Sequence, residues 1–407
     1  MTTYPAVPYA TVRFGGGAIF QNSLVLGDPA DGLLGTNVLG AYDVVDVPNV
    51  TQMSIRRGRT SLDANFAAGT GTVVFQDRNG DWNPDNTSSP FYGQLVPGIQ
   101  LTIRVTRNLT NYSLFSGYIR AYDYTWDVGD PYPLVTLTAT DALYLFNLAE
   151  VDTVAGSAAG DLPGARINQL LDELAWPASA RDIDTGTVTL QNDPGSSRQL
   201  LAALQTVAQT DLGALYIDTQ GRVTFLDRAS ISTKAVGAAT AFRDDGTDTE
   251  YQQIDYSYDD DQIINQATVT RVGGTAQTAT DTASVTQYFK RATTRSNLLM
   301  QDDARALQQA NAIVAYRAQP RLRVNTVGFL VINDDQFTAA TTVEFADPII
   351  VEKDYNGTPI ELRSTVQGIA HTINPSTWTT VLTTAEALSY AFVLGSSEFG
   401  ILGTNTL

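Results

Sequence analysis

From residue 99 to residue 106 the sequence alternates apolar and polar residues without a break, Ile99, Leu101, Ile103 and Val105 against Gln100, Thr102, Arg104 and Thr106. Side chains of a β-strand point alternately to opposite faces, so this run has one face to bury and one to wet, and a half-covered sheet satisfies both. The same period marks Met53 with Ile55, and Val73 with Phe75. Turn chemistry divides these runs: Ala67-Ala68-Gly69-Thr70-Gly71, Asp77-Arg78-Asn79-Gly80-Asp81, and Pro97-Gly98. The pattern continues through Leu114, Phe115, Tyr118 and Ile119 to Val135, Leu137 and Ala139, and ends at Asp141-Ala142-Leu143-Tyr144-Leu145-Phe146. Many short strands separated by turns predict a small closed barrel or sandwich over residues 44–149.

The texture changes over residues 150–238, which read as a small α+β module. Asp161 is placed to cap a helix whose Ile167, Leu170, Leu171 and Leu174 share one face, with Pro177 beyond its end. Ser196 or Ser197 is placed to cap a second, with Leu200, Leu201, Leu204, Val207 and Ala208 on its apolar side. A hairpin follows, Ala214–Ile217 and Arg222–Leu226 around Asp218-Thr219-Gln220-Gly221. Over residues 239–387 the β alternation returns at Ile254, Tyr256 and Tyr258, at Ala267 and Val269, and at Val327, Phe329 and Val331. One helix interrupts it, capped by Asp302, with Leu307, Ala310 and Val314 on its buried side and Pro320 after it. The fold class expected is mainly β with an α+β insertion.

The two ends, residues 1–43 and 388–407, share a motif. Leu26–Leu39 and Leu394–Leu407 are identical at eight of fourteen positions without a gap, and both contain Leu-Gly-Thr-Asn followed one residue later by Leu. A solenoid would repeat such a unit many times, and this chain does not. Two similar glycine turns before short strands are the plain account. Equivalent docking by both ends is the sharper one, because terminal apolar residues such as Ile401, Leu402 and Leu407 imply a surface to cover them.

The order of motifs carries a resemblance. Arg57-Gly58-Arg59 ends a strand, Gly69–Val74 opens the next, and an Asp-rich turn runs to Asn83-Pro84. Ser89-Pro90-Phe91-Tyr92 and a Pro-Gly then precede an alternating strand. This resembles the first barrel of the hub, or minor tail, proteins at the tail tip of long-tailed phages. Ile263–Val269, the Asp302 helix, Gln319-Pro320 and Gln367–Ile373 followed by Trp378 are similar to the second barrel of such hubs. The resemblance implies two tube-like antiparallel β-barrel domains per chain, and a homotrimer that presents a pseudo-sixfold ring to a hexameric tail tube. Its implied partners are the tail tube or distal tail protein, the tape-measure protein and receptor-binding tip proteins, with DNA only in transit. Its implied place is the distal end of the tail in the virion.

Charge and composition narrow the alternatives. At 407 residues the chain is long enough for two to four domains, and 43 % apolar with 17 % charged residues is an ordered balance. The formal charge of −18 opposes broad nucleic-acid binding, which depends on Lys and Arg neutralising phosphates. It fits a well-solvated acidic surface or, more sharply, an acidic wall along which DNA passes without sticking. Cysteine is absent, which excludes disulfides, thiolate nucleophiles and zinc–thiolate sites. No signal-peptide pattern opens the chain and no run of apolar residues is long enough to span a bilayer, so no stable membrane insertion is expected.

The search for chemistry yields no catalytic, cofactor-binding or metal residue. The single histidine, His371, lies inside a predicted strand and reads as structural, since a triad is defined by geometry. Asp77–Asn83 places oxygens at alternate positions, as calcium prefers, yet Ser88 stands where a calcium loop has its bidentate Glu; an Asx-stabilised turn is the plainer reading. Gly15-Gly16-Gly17 is not followed by the Lys-Ser or Lys-Thr of a phosphate loop. Asp244, Asp245 and Asp248, and Asp259, Asp260 and Asp261, are the densest acidic clusters and read as solvated loops. Arg56, Arg57 and Arg59 read as a solvated strand end or an ion-pair site between subunits. Eighteen Tyr and four Trp support a second reading, a carbohydrate-binding or polysaccharide-cleaving tail protein. A third is a hexameric distal tail adaptor.

Overall fold

The computed structural model describes residues 6–14, 43–355 and 357–387. Both copies of the Leu-Gly-Thr-Asn motif lie outside the described residues.

Among the described residues the first unit has seven strands: β1 (Val7–Phe14), β2 (Asp43–Asp46), β3 (Val50–Gly58), β4 (Ala67–Gln76), β5 (Gln100–Arg107), β6 (Thr110–Thr125) and β7 (Leu134–Thr140). Its hydrogen-bonded path runs β2-β1-β5-β6-β7-β4-β3. The two ends of this path, β2 and β3, are consecutive pieces of one run of chain, separated only by residues 47–49. Asn49 bends the run there with a φ of 47°, and its side-chain amide donates to the Gln76 carbonyl at 3.3 Å. The path therefore returns to its start through the covalent chain, and we call the unit ring 1. The alternation does what it predicts: Val73, Phe75, Leu101, Ile103, Val105, Val135 and Leu137 are all fully buried inside.

Between the rings lies the α+β module. It contains α1 (Ala142–Leu148), β8 (Glu150–Val151), α2 (Pro163–Asp172), β9 (Arg181–Ile183), β10 (Arg198–Gln199), α3 (Leu200–Thr210), β11 (Ala214–Ile217), β12 (Val223–Leu226) and α4 (Arg228–Val236). The β11–β12 hairpin forms around the expected turn, Gly221 N–H donating to the Asp218 carbonyl at 3.1 Å. Two expected caps do not form. Asp161 turns aside to accept from the Ala158 amide and from Arg166, leaving Leu162 as the cap residue with Pro163 in the first turn. Gln199 rather than Ser196 or Ser197 precedes α3, because β10 pairs with β8 and takes up the residues between.

The remaining elements are β13 (Thr240–Arg243), β14 (Thr249–Glu250), β15 (Gln253–Ser257), β16 (Gln266–Arg271), β17 (Gln277–Thr280), α5 (Thr282–Tyr288), β18 (Ala292–Leu298), α6 (Asp303–Arg317), β19 (Arg323–Leu330), α7 (Asp334–Thr342), β20 (Pro348–Tyr355), β21 (Thr358–Asn374) and β22 (Thr377–Glu386). Seven of these strands form ring 2, in the path β14-β13-β20-β21-β22-β19-β15. Its ends, β14 and β15, are again consecutive pieces of chain, separated by residues 251–252.

Numbered in chain order within each ring, both paths read second, first, fifth, sixth, seventh, fourth, third. The rings are two versions of one design. The expected barrels take this form, closed by the chain at one corner and not by an unbroken ladder. One strand departs from the antiparallel expectation: β13 pairs parallel with both β14 and β20. It enters ring 2 from the module, following α4.

Ala267 and Val269, expected in the second barrel, belong instead to a separate three-stranded sheet, β17-β16-β18. Helix α6 covers this sheet, and the two share a core of Ala267, Val269, Leu298, Ala306, Ala310 and Val314. Period-2 alternation identifies a strand with one covered face; it does not say which sheet the strand joins. Asp302 caps α6 as expected, accepting from the Arg305 amide at 2.8 Å. Leu307 is 37 % exposed, since Ala306, Ala310, Ile313 and Val314 turn the inner face away from it.

Candidate functional site

The rings meet along β3 and β21, which pair antiparallel from Met53 opposite Ile373 to Gly58 opposite Gly368. Here the Arg-Gly-Arg motif does its work. Arg57 follows Met53 and Ile55 on the inward face of β3, so its guanidinium is carried into the core. A buried cation needs a counter-charge and acceptors. Arg57 Nη2 donates to Glu344 Oε2 at 2.9 Å and to the Ile217 carbonyl at 2.8 Å, and the guanidinium lies 4.9 Å from the centre of the Phe345 ring. One side chain thus ties ring 1 to the module and to ring 2.

Gly58 has a φ of 107°, and a Cβ there would fall 2.3 Å from the Gln367 carbonyl oxygen, so only glycine lets the two backbones approach this closely. Arg59 continues the clasp. Its amide donates to the Gln367 carbonyl and its Nε to Gln367 Oε1, both at 2.8 Å, while Nη1 reaches the carbonyls of Leu62 and Ala64. Phe66, Tyr216 and Phe345, one ring each from the three parts, pack with centroids 4.9 to 5.4 Å apart beneath it. Of the three arginines only Arg56 is exposed, so the solvated-end reading fails for Arg57 and Arg59.

Helix α7 makes a second bridge. Phe337 packs edge-on against Tyr112 of ring 1 at 5.1 Å and Trp378 of ring 2 at 5.9 Å, and Arg107 covers its ring while pairing with Asp334. Beside the joint a cavity of about 410 Å³ opens between residues 59–66, α3, β18 and α6. At its rim the Asp63 carboxylate ties ring 1 to β18 and α6 by accepting from Arg295 at 3.3 Å and Arg317 at 2.5 Å.

Asp141 caps α1 at the end of β7. It is buried, and accepts from the Gly69 amide at 2.6 Å and the Leu143 amide at 3.0 Å. Burial pushes its carboxyl up to about 7, against the pull of those two amides and of Arg57. The folded state therefore holds a proton that the unfolded chain releases near its ordinary value of 3.8. Stability assigned to this group is greatest below that value, falls as pH rises towards 7, and is constant above it. Relative to an Asp141→Asn variant, the parent protein is expected to lose stability in urea between pH 5 and pH 8. An equal difference at both pH values would remove this role.

His371 lies on β21 opposite Ile55, inside the joint. Trp378 Nε1 donates to its Nδ1 at 3.3 Å, and the Thr380 hydroxyl lies 3.0 Å from the same nitrogen. Burial, helped by Arg57, pushes it down to about 3, so the ring is neutral. No carboxylate orients it among the described residues, and it is a packed strand histidine.

Asp77 accepts from the amides of Asp81 at 3.1 Å and Trp82 at 3.0 Å, four and five residues on, and so braces the loop across its width; two-residue Asx turns form further along, where Asn83 and Asn86 accept from the amides of Asp85 and Ser88, each at 3.0 Å. The Asp77 carboxylate is committed to the backbone, and among the described residues no group of three or more His, Cys, Asp or Glu is placed to hold a metal. In the acidic clusters, Asp244 pairs with Lys353, Asp248 with Arg243, Asp259 with Arg323 and Asp260 with Arg291.

Sequence reasoning did not single out Glu344 or Phe345, and met Tyr216 and Gln367 only as members of strand runs; these four complete the clasp from distant parts of the chain. Tyr256 and Tyr258 were legible only as strand alternation, and Tyr124 and Trp126 were not marked, although the four form exposed aromatic rows on opposite rings. Tyr124 and Trp126 at the end of β6 are 43 % and 65 % exposed, and Tyr256 and Tyr258 on and after β15 are 40 % and 67 % exposed. Aromatic residues alternating with Asp, Ser and Thr were the available signal.

No protein-family model matches the sequence, and no curated protein is similar to it by sequence. Solved structures do match. A tail protein from Neisseria meningitidis MC58 superposes with a TM-score of 0.58 at 12 % identity, covering 93 % of this chain and 96 % of that one. The 43 kDa tail protein of prophage MuSo2 from Shewanella oneidensis gives 0.56 at 14 % identity, covering 94 % and 99 %. The chain has the fold of phage tail proteins. A chain of the lidless PdpA–VgrG complex shares it more loosely, with a TM-score of 0.50 at 9 % identity over 94 % of this chain and 65 % of that one. The tail-protein fold accounts for the mainly β architecture over nearly the whole length.

Proposed function

We propose that this chain is a non-catalytic structural protein of a phage tail, the hub that joins the tail tube to the distal tip. The observation that carries this reading is the doubled ring. β3 is antiparallel to β6 within ring 1, through β4 and β7, and antiparallel also to β21, the counterpart of β6 in ring 2. The two rings therefore stand side by side with the same polarity, as neighbouring subunits of a tube do. Three such chains present six rings to a hexameric tube, which reconciles a trimer with a sixfold partner.

The partners in this reading are the tail tube or distal tail protein on one side and receptor-binding tip proteins on the other. The tape-measure protein and DNA pass through the centre, and acidic side chains lining the passage would keep DNA moving by repulsion. Antibody labelling of intact particles, viewed by electron microscopy, tests the assignment. Label confined to the end of the tail distal to the capsid is expected. Label along the tube, or none on assembled tails, would overturn it.

A further inference from the structure

The two rings share a central row of facing residues. Met53 lies opposite Val73, Val73 opposite Leu137, and Leu137 opposite Tyr122. In ring 2 Ile254 lies opposite Val327, Val327 opposite Leu382, and Leu382 opposite Ile369. A landmark aligns the two rows, Tyr122 with Ile369 and so Met53 with Ile254. Gly98 and Ala346, both with positive φ, donate their amides to the carbonyls of Ile119 and Val366, which stand three residues before Tyr122 and Ile369.

The joint between the rings uses β3 of ring 1 and β21 of ring 2, which are not counterparts. It is a head-to-tail contact. Among the described residues such a contact leaves one edge of each kind without a partner strand: β15, the counterpart of β3, pairs only with β19, and residues 121–125 of β6 pair only with β7.

We propose that a second copy of this chain occupies these edges, repeating the internal joint between molecules: β15 of one copy pairs antiparallel with residues 121–126 of the next. This deepens the assembly reading above and rests on it. The register of the internal joint carries over directly, placing Tyr258 opposite Tyr122, Tyr256 opposite Tyr124, and Ile254 opposite Trp126. In the internal joint the six corresponding side chains, Met53, Ile55, Arg57, Ile369, His371 and Ile373, are all buried. On the free edges four of the six corresponding positions are the exposed aromatics Tyr124, Trp126, Tyr256 and Tyr258, and the other two, Tyr122 and Ile254, are half-buried against the core. Aromatic pairs directly across a ladder stabilise it. On the other face no carboxylate meets another, since Asp255 falls opposite Thr125 and Asp123 opposite Ser257. Edges that stay unpaired are normally blunted by charge, proline or a bulge; here Asp123 and Asp255 stand on the edges and the β15–β19 ladder shifts register between Asp255 and Tyr256, but the exposed aromatic side chains beside them favour pairing.

The absence of cysteine makes the register testable. Directly opposed residues of an antiparallel pair have Cα atoms about 4.5–5.5 Å apart, within the span of a disulfide. Full-length Asp123→Cys and Ser257→Cys proteins, purified separately and mixed under mild oxidation, are expected to form a mixed disulfide. The rate should exceed that of Asp123→Cys with an exposed control, Ser88→Cys, by about tenfold or more. Equal rates would overturn the pairing. A Tyr256→Ala/Tyr258→Ala protein that melts like the parent is expected to show the mass of one copy by light scattering under conditions where the parent shows a multiple. A parent that stays a single copy, or an assembly that survives this change, also overturns it. The tail-end reading is judged separately by labelling particles: a failed cross-link with labelled tail ends defeats only the strand pairing, and unlabelled tails with an intact cross-link defeat only the hub.

Discussion

Glu344→Ala is expected to destabilise the protein by about 3–5 kcal/mol, because it leaves the Arg57 guanidinium buried without its counter-charge. The side chain of Arg57 is 4 % exposed and that of Glu344 is 21 % exposed. The arginine therefore has no route to water, whereas the carboxylate retains one. Arg57→Ala should consequently cost less than Glu344→Ala, although it also forfeits the Ile217 carbonyl and the Phe345 ring. Arg57→Met with Glu344→Leu, which removes both charges and keeps the volume, should recover most of the loss. Urea unfolding of the four proteins checks the ranking. Equal costs for the two single changes would show that the pair is solvated and does not clasp the rings. Hydrogen exchange adds location: in Glu344→Ala, protection along β3 and β21 should fall before protection in the centre of ring 1 does.

Trp82→Ala is expected to cost about 3–5 kcal/mol, the range for removing a large aromatic side chain from a core. Trp82 is 1 % exposed although it sits in a long loop, and its ring lies 5.0 Å from Phe75, 5.5 Å from Phe91 and 5.8 Å from Phe14. It fills the end of ring 1 and holds the loop down. Asp77 and Tyr124 support it through its backbone, the Tyr124 hydroxyl donating to the Trp82 carbonyl at 2.7 Å. Trp82→Phe should retain most of the stability. A loss below about 1 kcal/mol for Trp82→Ala would mean that the loop is a surface feature, as exposed positions are usually neutral within that range.

Local patterns were legible from the sequence wherever the deciding interaction is local. The alternation at Ile99 to Val105, the hairpin at Asp218 to Gly221 and the Asp302 cap each depend on neighbours a few residues away, and each forms. Where a competing local partner exists, the reading failed. Asp161 satisfies Ala158 and Arg166 instead of capping α2, and the segment after Ser197 joins a strand instead of a helix turn. Arg57 and Arg59 looked like a solvated end because charge density is visible in sequence and burial is not.

The sequence by itself determined a mainly β chain with one covered face per strand, because the period of side chains along a strand is a property of the backbone alone. It also determined the turns, since glycine, proline and Asx residues act on their own backbone. Only the tertiary structure decided which strands meet. Alternation at Ala267 and Val269 is the same whether the sheet is ring 2 or the smaller one beneath α6. Arg57 finds Glu344 across 287 residues of sequence, and nothing in the spacing of either announces the other. The repeat of the two rings is likewise invisible in the residues, because a ring needs a strand order and a filled interior, which many different apolar sets supply.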